Sequence, residues 1–177
     1  SLDYTYQIAK GNASDPETAY LDTQAGKEPS KQMVPLDWDR RHQLNAAVTW
    51  LPNEALAMSL IGRFGSGFPY TPSYQTTQAQ VENSARKPAF LSFDIYSDYA
   101  FSIGRQDLTF FLRIYNVLDR KNEVEVYTDT GRATYSLAQL STGGLRPQGI
   151  NTFDAYIARP DFYSPPREVQ IGVKWTF

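Results

Sequence analysis

The chain has 177 residues, the length of one ordinary domain; 41% are hydrophobic, 14% are aromatic, and the formal net charge is −2. That charge argues against a nucleic-acid partner, which calls for a basic stripe, and the absence of cysteine removes thiolate metal sites, redox motifs and disulfides together. No apolar run approaches the length of a membrane helix, so any membrane contact has to be made by strands. A negative mean hydropathy in so aromatic a chain is what strict alternation produces, because half of every strand is then polar.

Alternation with a period of two marks strands, since successive side chains face opposite sides. Leu2, Tyr4, Tyr6 and Ile8 alternate with Asp3, Thr5 and Gln7 and predict a strand over 2–10. His42, Leu44, Ala46, Val48 and Trp50 alternate with Arg41, Gln43, Asn45, Ala47 and Thr49, predicting a strand over 41–52. Leu56, Met58, Leu60, Gly62 and Phe64 predict the next over 55–64, with Ile61 as its imperfect member. Leu91, Phe93, Ile95, Ser97, Tyr99 and Phe101 face away from Ser92, Asp94, Tyr96, Asp98 and Ala100 in a strand over 90–102. Leu108, Phe110, Leu112 and Ile114 do the same against Thr109, Phe111, Arg113 and Tyr115 over 107–118. Finally Val169, Ile171, Val173, Trp175 and Phe177 alternate with Glu168, Gln170, Gly172, Lys174 and Thr176 over 167–177. Segments of about ten residues suit tilted strands crossing a hydrocarbon layer, and a last strand ending on an aromatic fits the rim of an outer-membrane barrel.

The connections differ in length. Pro52-Asn53-Glu54-Ala55 and Gly104-Arg105-Gln106-Asp107 read as tight turns. Those over 11–40, 65–89 and 119–166 are long, which is uncommon in compact soluble domains and usual on the outer side of membrane barrels. Within the last, 122–135 reads as two strand halves around Thr128-Asp129-Thr130-Gly131, predicting a hairpin. Ser1-Leu2-Asp3-Tyr4 enters the strand pattern at once, with no signal-peptide pattern, so the chain is expected to be a piece of something longer.

Four stretches then bear on family. Trp38-Asp39-Arg40-Arg41-His42-Gln43-Leu44-Asn45, Gly65-Ser66-Gly67-Phe68-Pro69-Tyr70-Thr71-Pro72, Tyr115-Asn116-Val117-Leu118-Asp119-Arg120-Lys121-Asn122 and the terminal strand resemble the C-terminal barrel of TonB-dependent outer-membrane receptors. Thr128-Asp129-Thr130-Gly131-Arg132-Ala133-Thr134-Tyr135 and Ser164-Pro165-Pro166-Arg167-Glu168-Val169 resemble the large receptors of this kind that carry an N-terminal carboxypeptidase-regulatory-like domain. The resemblance implies an all-β fold: an antiparallel transmembrane β-barrel segment of about six C-terminal strands from a barrel of the 22-strand type. Residues 1–177 would form one partial domain, without the plug and the N-terminal strands. The resemblance further implies a place in the outer membrane of a Gram-negative-type bacterium. The implied partners are outer-membrane lipid, the plug and remaining strands, and the energy-transducing TonB complex, engaged through the missing N-terminal part. The ligand would be a small molecule, a glycan or a peptide, taken up in an energy-coupled way. Trp175 and Phe177 would form the membrane-assembly signal. A structural or adhesive outer-membrane β-barrel without transport is the alternative, followed by a soluble β-sandwich binding module.

Catalytic chemistry is not expected. The lone His42 and the absence of cysteine leave no metal cluster, no nucleophile elbow or zinc-binding helix accompanies Ser, Asp and His, and no cofactor motif is present. Asp37, Asp39, Arg40 and Arg41 read either as a solvated rim network or as part of a ligand vestibule. Arg41, Gln43, Asn45, Arg63, Asp94, Tyr96, Asp98, Arg113, Tyr115, Gln170 and Lys174 share the polar register and need partners away from lipid. Phe68, Tyr70, Tyr74, Tyr127 and Tyr135 lie in the outer loops, where aromatics either grip a ligand or pack on one another. The candidate ligand-binding residues are therefore Arg41, Arg63, Phe68, Tyr70, Tyr74, Asp94, Tyr96, Arg113, Tyr127 and Tyr135. Asn116 and Asp119 are expected to cap backbone groups where a strand gives way to a loop.

Overall fold

A computed structural model describes residues 1–26, 32–74, 77–79, 81–104, 106–137 and 158–176; Phe177 lies outside them. In chain order the elements are β1 (Leu2–Tyr6), β2 (Lys10–Gly11), helix α1 (Pro16–Gln24), β3 (Val34–Pro35), β4 (His42–Asn53), β5 (Leu56–Gly65), β6 (Pro69–Tyr70) and β7 (Ser73–Tyr74). They continue with β8 (Thr77–Gln78), β9 (Ala85–Arg86), β10 (Phe90–Ile103), β11 (Gln106–Tyr115), a 3-10 turn (Pro160–Phe162) and β12 (Glu168–Thr176). The fold is all-β and antiparallel, with one short helix. Six strands form the main sheet in the order β1-β4-β5-β10-β11-β12, and three two-stranded ribbons, β2-β3, β6-β9 and β7-β8, decorate one end. The sheet is open, and the described residues form no closed barrel.

Pairing register carries the alternation of each strand across the whole sheet. Val48, Leu60, Ile95, Ile114 and Val169 form one row over five strands, and Trp50, Met58, Ser97, Leu112 and Ile171 form the next. The opposite face carries Thr49, Ser59, Tyr96, Arg113 and Gln170 in one row and Asn45, Arg63 and Ser92 in another. A slip of one residue at any pair would put the two sets on the same face, so register and pattern reinforce one another. Ile61, the imperfect member of its strand, sits in the polar-face row between Ala47 and Asp94.

Among the described residues nothing packs on the apolar face: Val48 is 63% exposed, Trp50 61% and Ile171 74%. Conversely, the buried aliphatic residues Val34, Val126 and Ala133 all lie in the connections, outside the main sheet, and they are outnumbered by buried polar ones, Asp39, Asn83, Ser92, Asp94, Asn116, Asn122 and Ser136. This inverts the usual arrangement of a soluble domain, in which apolar side chains fill the interior.

Tight turns and long connections lie at opposite ends. At the first turn Asn53 Oδ1 accepts from the backbone N–H of Ala55 (3.0 Å) and Leu56 (2.8 Å), an Asx turn. At the second Gly104 takes φ +66°, a conformation that only glycine adopts freely. The long connections gather at the other end into a crown.

Three expectations are corrected. The first strand stops at Tyr6 instead of reaching residue 10, because the backbone N–H of Ala9 turns to the Asp39 carboxylate and Lys10–Gly11 pairs with Val34–Pro35. The connection over 11–40 holds a helix, started by Asp15, whose side chain accepts from Glu17 N–H, and by Pro16 in the first turn. The hairpin over 122–135 does not form. Gly131 N–H reaches Tyr127 O (2.8 Å) and Tyr127 N–H reaches Arg132 O (3.0 Å), closing a turn, but no ladder extends from it. Glu123 pairs instead with Tyr163, and its carboxylate takes the Ala133 N–H (2.6 Å), so a side chain spans the gap that strand pairing would have closed.

On the polar face Phe111 lies against Gly172, leaving no room for a Cβ there. Gly172→Val is expected to lower stability by about 1–3 kcal/mol through overpacking, while the exposed neighbour change Gln170→Thr leaves it nearly unchanged; urea titration of the folded protein in micelles measures both.

Candidate functional site

The crown is assembled around buried polar side chains. Asp39 is fully buried and accepts from Ala9 N–H (2.8 Å), Arg41 Nε (3.0 Å) and Arg86 Nη2, while Arg86 Nη1 also donates to the Asp39 carbonyl (2.7 Å) and to Gly67 O (3.2 Å). One carboxylate thus ties together the chain after β1, the lead into β4 and β9. Burial alone would raise its pKa, but the hydrogen bonds from Ala9, Arg41 and Arg86 outweigh that and hold the carboxyl below its usual range. Asp39 is therefore a buried structural anchor, which corrects the solvated-rim reading for Asp39 itself, while Asp37 stays exposed.

Further side chains extend the scaffold. Asn83, at φ +56°, donates from Nδ2 to Pro35 O (2.8 Å) and Asp37 Oδ1 (2.7 Å). Asn122 accepts from Leu91 N–H and donates to Leu91 O, both at 2.9 Å, fastening the last connection to β10. Asn116 and Asp119 adopt positive φ and cap backbone groups as expected: Asn116 Oδ1 accepts from Arg120 N–H (3.1 Å) and Asp119 Oδ1 from Arg167 N–H (2.9 Å). Glu123, raised by burial, is brought down further by its bonds from Arg132 and Ala133 N–H and ends below the usual range.

Between these anchors lies a cleft of about 600 Å³, lined among others by Asp37, Trp38, Phe68, Tyr70, Asn83 and Lys87 on one side and by Val124, Glu125, Val126 and Thr128 on the other. Lys87 Nζ bridges the two sides, pairing with Glu125 (2.6 Å) and donating to Val124 O (3.1 Å). A recess of about 180 Å³ opens beside it, sharing Phe68, Lys87 and Val124 and adding Arg40, Ser66 and Phe90. The Tyr70 hydroxyl approaches Gly131, where a Cβ would collide with it, and burial followed by the nearby Asp129 charge raises its pKa.

The predicted site residues do not converge on one place. Phe68 and Tyr70 share the cleft. Tyr127 packs on Phe162 with ring centroids 5.1 Å apart, and neither it nor the exposed Tyr74 and Tyr135 is among the residues lining the cleft. Arg41 belongs to the Asp39 anchor. Arg63, Asp94, Tyr96 and Arg113 lie on the polar sheet face: Arg63 pairs with the buried Asp94, which also accepts from Asn116 N–H (2.9 Å), and Arg113 pairs with Asp98 (2.8 Å) beneath the Tyr96 ring. Trp38, Asn83, Lys87 and Glu125 were not singled out as site residues in sequence, because they come from three different connections and only folding makes them neighbours. Among the described residues no group of three or more His, Asp or Glu side chains is placed to hold a metal ion.

A carboxyl whose folded pKa is depressed contributes stability above its unfolded value, near 4, and that contribution is lost as pH falls through the folded value. The crown is expected to loosen on acidification below about pH 4, seen as a change in Trp38 fluorescence. Asp39→Asn should destabilise by about 2–3 kcal/mol at neutral pH, the lower part of the range for a broken buried pair because Arg41 and Arg86 keep some water, and should flatten the acid dependence; an unchanged profile would remove Asp39 as the anchor. Compared with known protein families, curated proteins and solved structures, the chain matches none.

Proposed function

We propose that the chain is barrel wall from a TonB-dependent receptor of the bacterial outer membrane, with its apolar sheet face toward lipid, its polar face toward the lumen and its crown contributing to the extracellular ligand site for energy-coupled uptake. The observation that supports this best is the uncovered apolar face, which runs in register across the sheet and bears Val48, Trp50, Leu60, Phe110, Ile171, Val173 and Trp175, each exposed by 44% or more. Soluble monomers rarely expose apolar patches of more than a few hundred Å². Ten residues, the length of β5 and of β11, span about 33 Å, and a tilt near 45° brings that to the height of a bilayer's apolar band, about 25 Å. Charged residues of the strands, Arg63, Asp94, Asp98 and Arg113, occupy the opposite face and pair there, as a lumen wall requires. Short turns at one end and a crown of connections at the other match the periplasmic and extracellular sides of such barrels. The four sequence stretches noted above point to the TonB-dependent family, and with it to uptake that stops when the energy-transducing complex is removed.

Cysteines placed singly along 168–176 and challenged with a lipid-phase label are expected to react at 169, 171, 173 and 175 and to stay silent between. Ile171→Lys should cost about 2–4 kcal/mol in folding into bilayers, and Gln170→Lys much less. Uniform labelling, or equal cost at the two positions, would overturn the membrane reading.

A further inference from the structure

Several cations of the crown are neutralised. Arg41 and Arg86 share Asp39, Lys87 pairs with Glu125, Arg132 with Glu123 and Arg159 with Asp161. Arg40 is different. It is half-buried, it has no carboxylate partner among the described residues, and one hydrogen bond, Nε to Ser66 O (3.2 Å), occupies one of its five N–H donors. Its guanidinium carbon stands 4.9 Å from the Phe68 ring centroid and 6.0 Å from that of Phe90. Gly65 provides the seat: a Cβ there would overlap the guanidinium. Two π faces and one carbonyl recover only part of what a guanidinium loses in leaving water. Burial accordingly lowers its pKa.

This cation lines the smaller recess, and the recess joins the larger cleft at Phe68, Lys87 and Val124. Glu123, the acid on the recess wall, is committed elsewhere: both its oxygens accept from Arg132 (2.7–3.2 Å) and one from Ala133 N–H. A positive charge with free donors therefore faces a space of about 180 Å³, and an apolar cleft carrying Trp38, Phe68, Tyr70 and Val126 continues from it.

We propose that Arg40 is an anion-recognition residue: the recess receives the carboxylate of a small organic acid whose aromatic or apolar body lies in the adjoining cleft between Trp38, Tyr70 and Val126. The planar guanidinium fork suits a carboxylate, with which it forms two parallel charge-assisted hydrogen bonds, and the flanking rings hold its plane before the ligand arrives. The inference names a ligand class for the crown and so rests on the crown being a ligand site.

The test titrates the full chain in non-ionic detergent with 2-naphthoate and with uncharged 2-naphthamide, by calorimetry and by fluorescence, with Trp38 as the reporter at the cleft. The acid is expected to bind about tenfold or more tightly than the amide, the worth of charged hydrogen bonds. Arg40→Gln should bring the acid down to the affinity of the amide and leave the amide unchanged. Arg40→Lys, which keeps the charge without the fork, should retain part of the preference and carries the variant arm if Arg40→Gln does not fold. Equal affinity for acid and amide in the wild-type chain, binding of neither, or an undiminished preference in the variants would overturn the proposal and leave Arg40 as a pin for Gly65 and Ser66. Lipid-phase labelling of 169–175 in the same preparation reads the membrane arrangement separately, so either reading can fail alone.

Discussion

A strand has two faces, and the hydrogen-bonded register between strands decides whether six of them share those faces or scramble them. In this sheet the pairing holds Val48, Leu60, Ile95, Ile114 and Val169 in one row and, one residue further along, Thr49, Ser59, Tyr96, Arg113 and Gln170 in a row on the reverse. The arrangement of both sheet faces follows from that alignment. Arg113 reaches Asp98, and Arg63 reaches Asp94, because both members of each pair stand on one face. The same alignment assembles an apolar surface that none of the described elements covers. The pairing is a simple meander in which each long strand lies beside the next, so contacts between neighbouring strands complete the ladder, apart from the two open edges.

The crown depends on a different kind of interaction. Apolar burial there is slight, and order comes from side chains that satisfy backbone groups across gaps between connections: Asp39 to Ala9, Asn83 to Pro35, Asn122 to Leu91 and Glu123 to Ala133. A buried carboxylate is costly unless its lone pairs are filled, and Asp39 has three donors converging on it. Such a network is specific in geometry, because each donor must reach one acceptor. It leaves spaces where the connections do not meet, and the cleft at Trp38, Phe68 and Tyr70 is one of them. Glycine enters the design here as well. Gly65 makes room for a guanidinium, and Gly67 lies so close to the Lys87 carbonyl that no side chain fits between them.

The two regions differ in what they ask of sequence change. On the sheet, polarity at each position matters more than identity, since a row accepts any apolar side chain of suitable size. In the crown, exchanging one anchoring side chain leaves several buried donors unsatisfied, which is the more severe kind of loss. The connection ends are therefore constrained, while Tyr74 and Tyr135, exposed and away from the cleft, are much less so.

Alternation by itself determined the six strands of the main sheet, their order along the chain, the two tight turns and the face on which each side chain stands, because a period of two is a local property and needs no partner to be read. The capping role of Asn116 was legible for the same reason, since its bond runs to Arg120 N–H four residues on, whereas the group that Asp119 caps, Arg167 N–H, lies 48 residues away. Tertiary structure alone decided the rest. Asp39 reads in sequence as one charge in a mixed run, and only the convergence of residues 9, 41 and 86 buries it. The segment over 122–135 carries the marks of a hairpin, yet Glu123 finds Tyr163, more distant in sequence, and the ladder is never made. Trp38, Phe68, Lys87 and Val126 come from three separate connections, and a cleft shared among them is a long-range juxtaposition that no local pattern encodes.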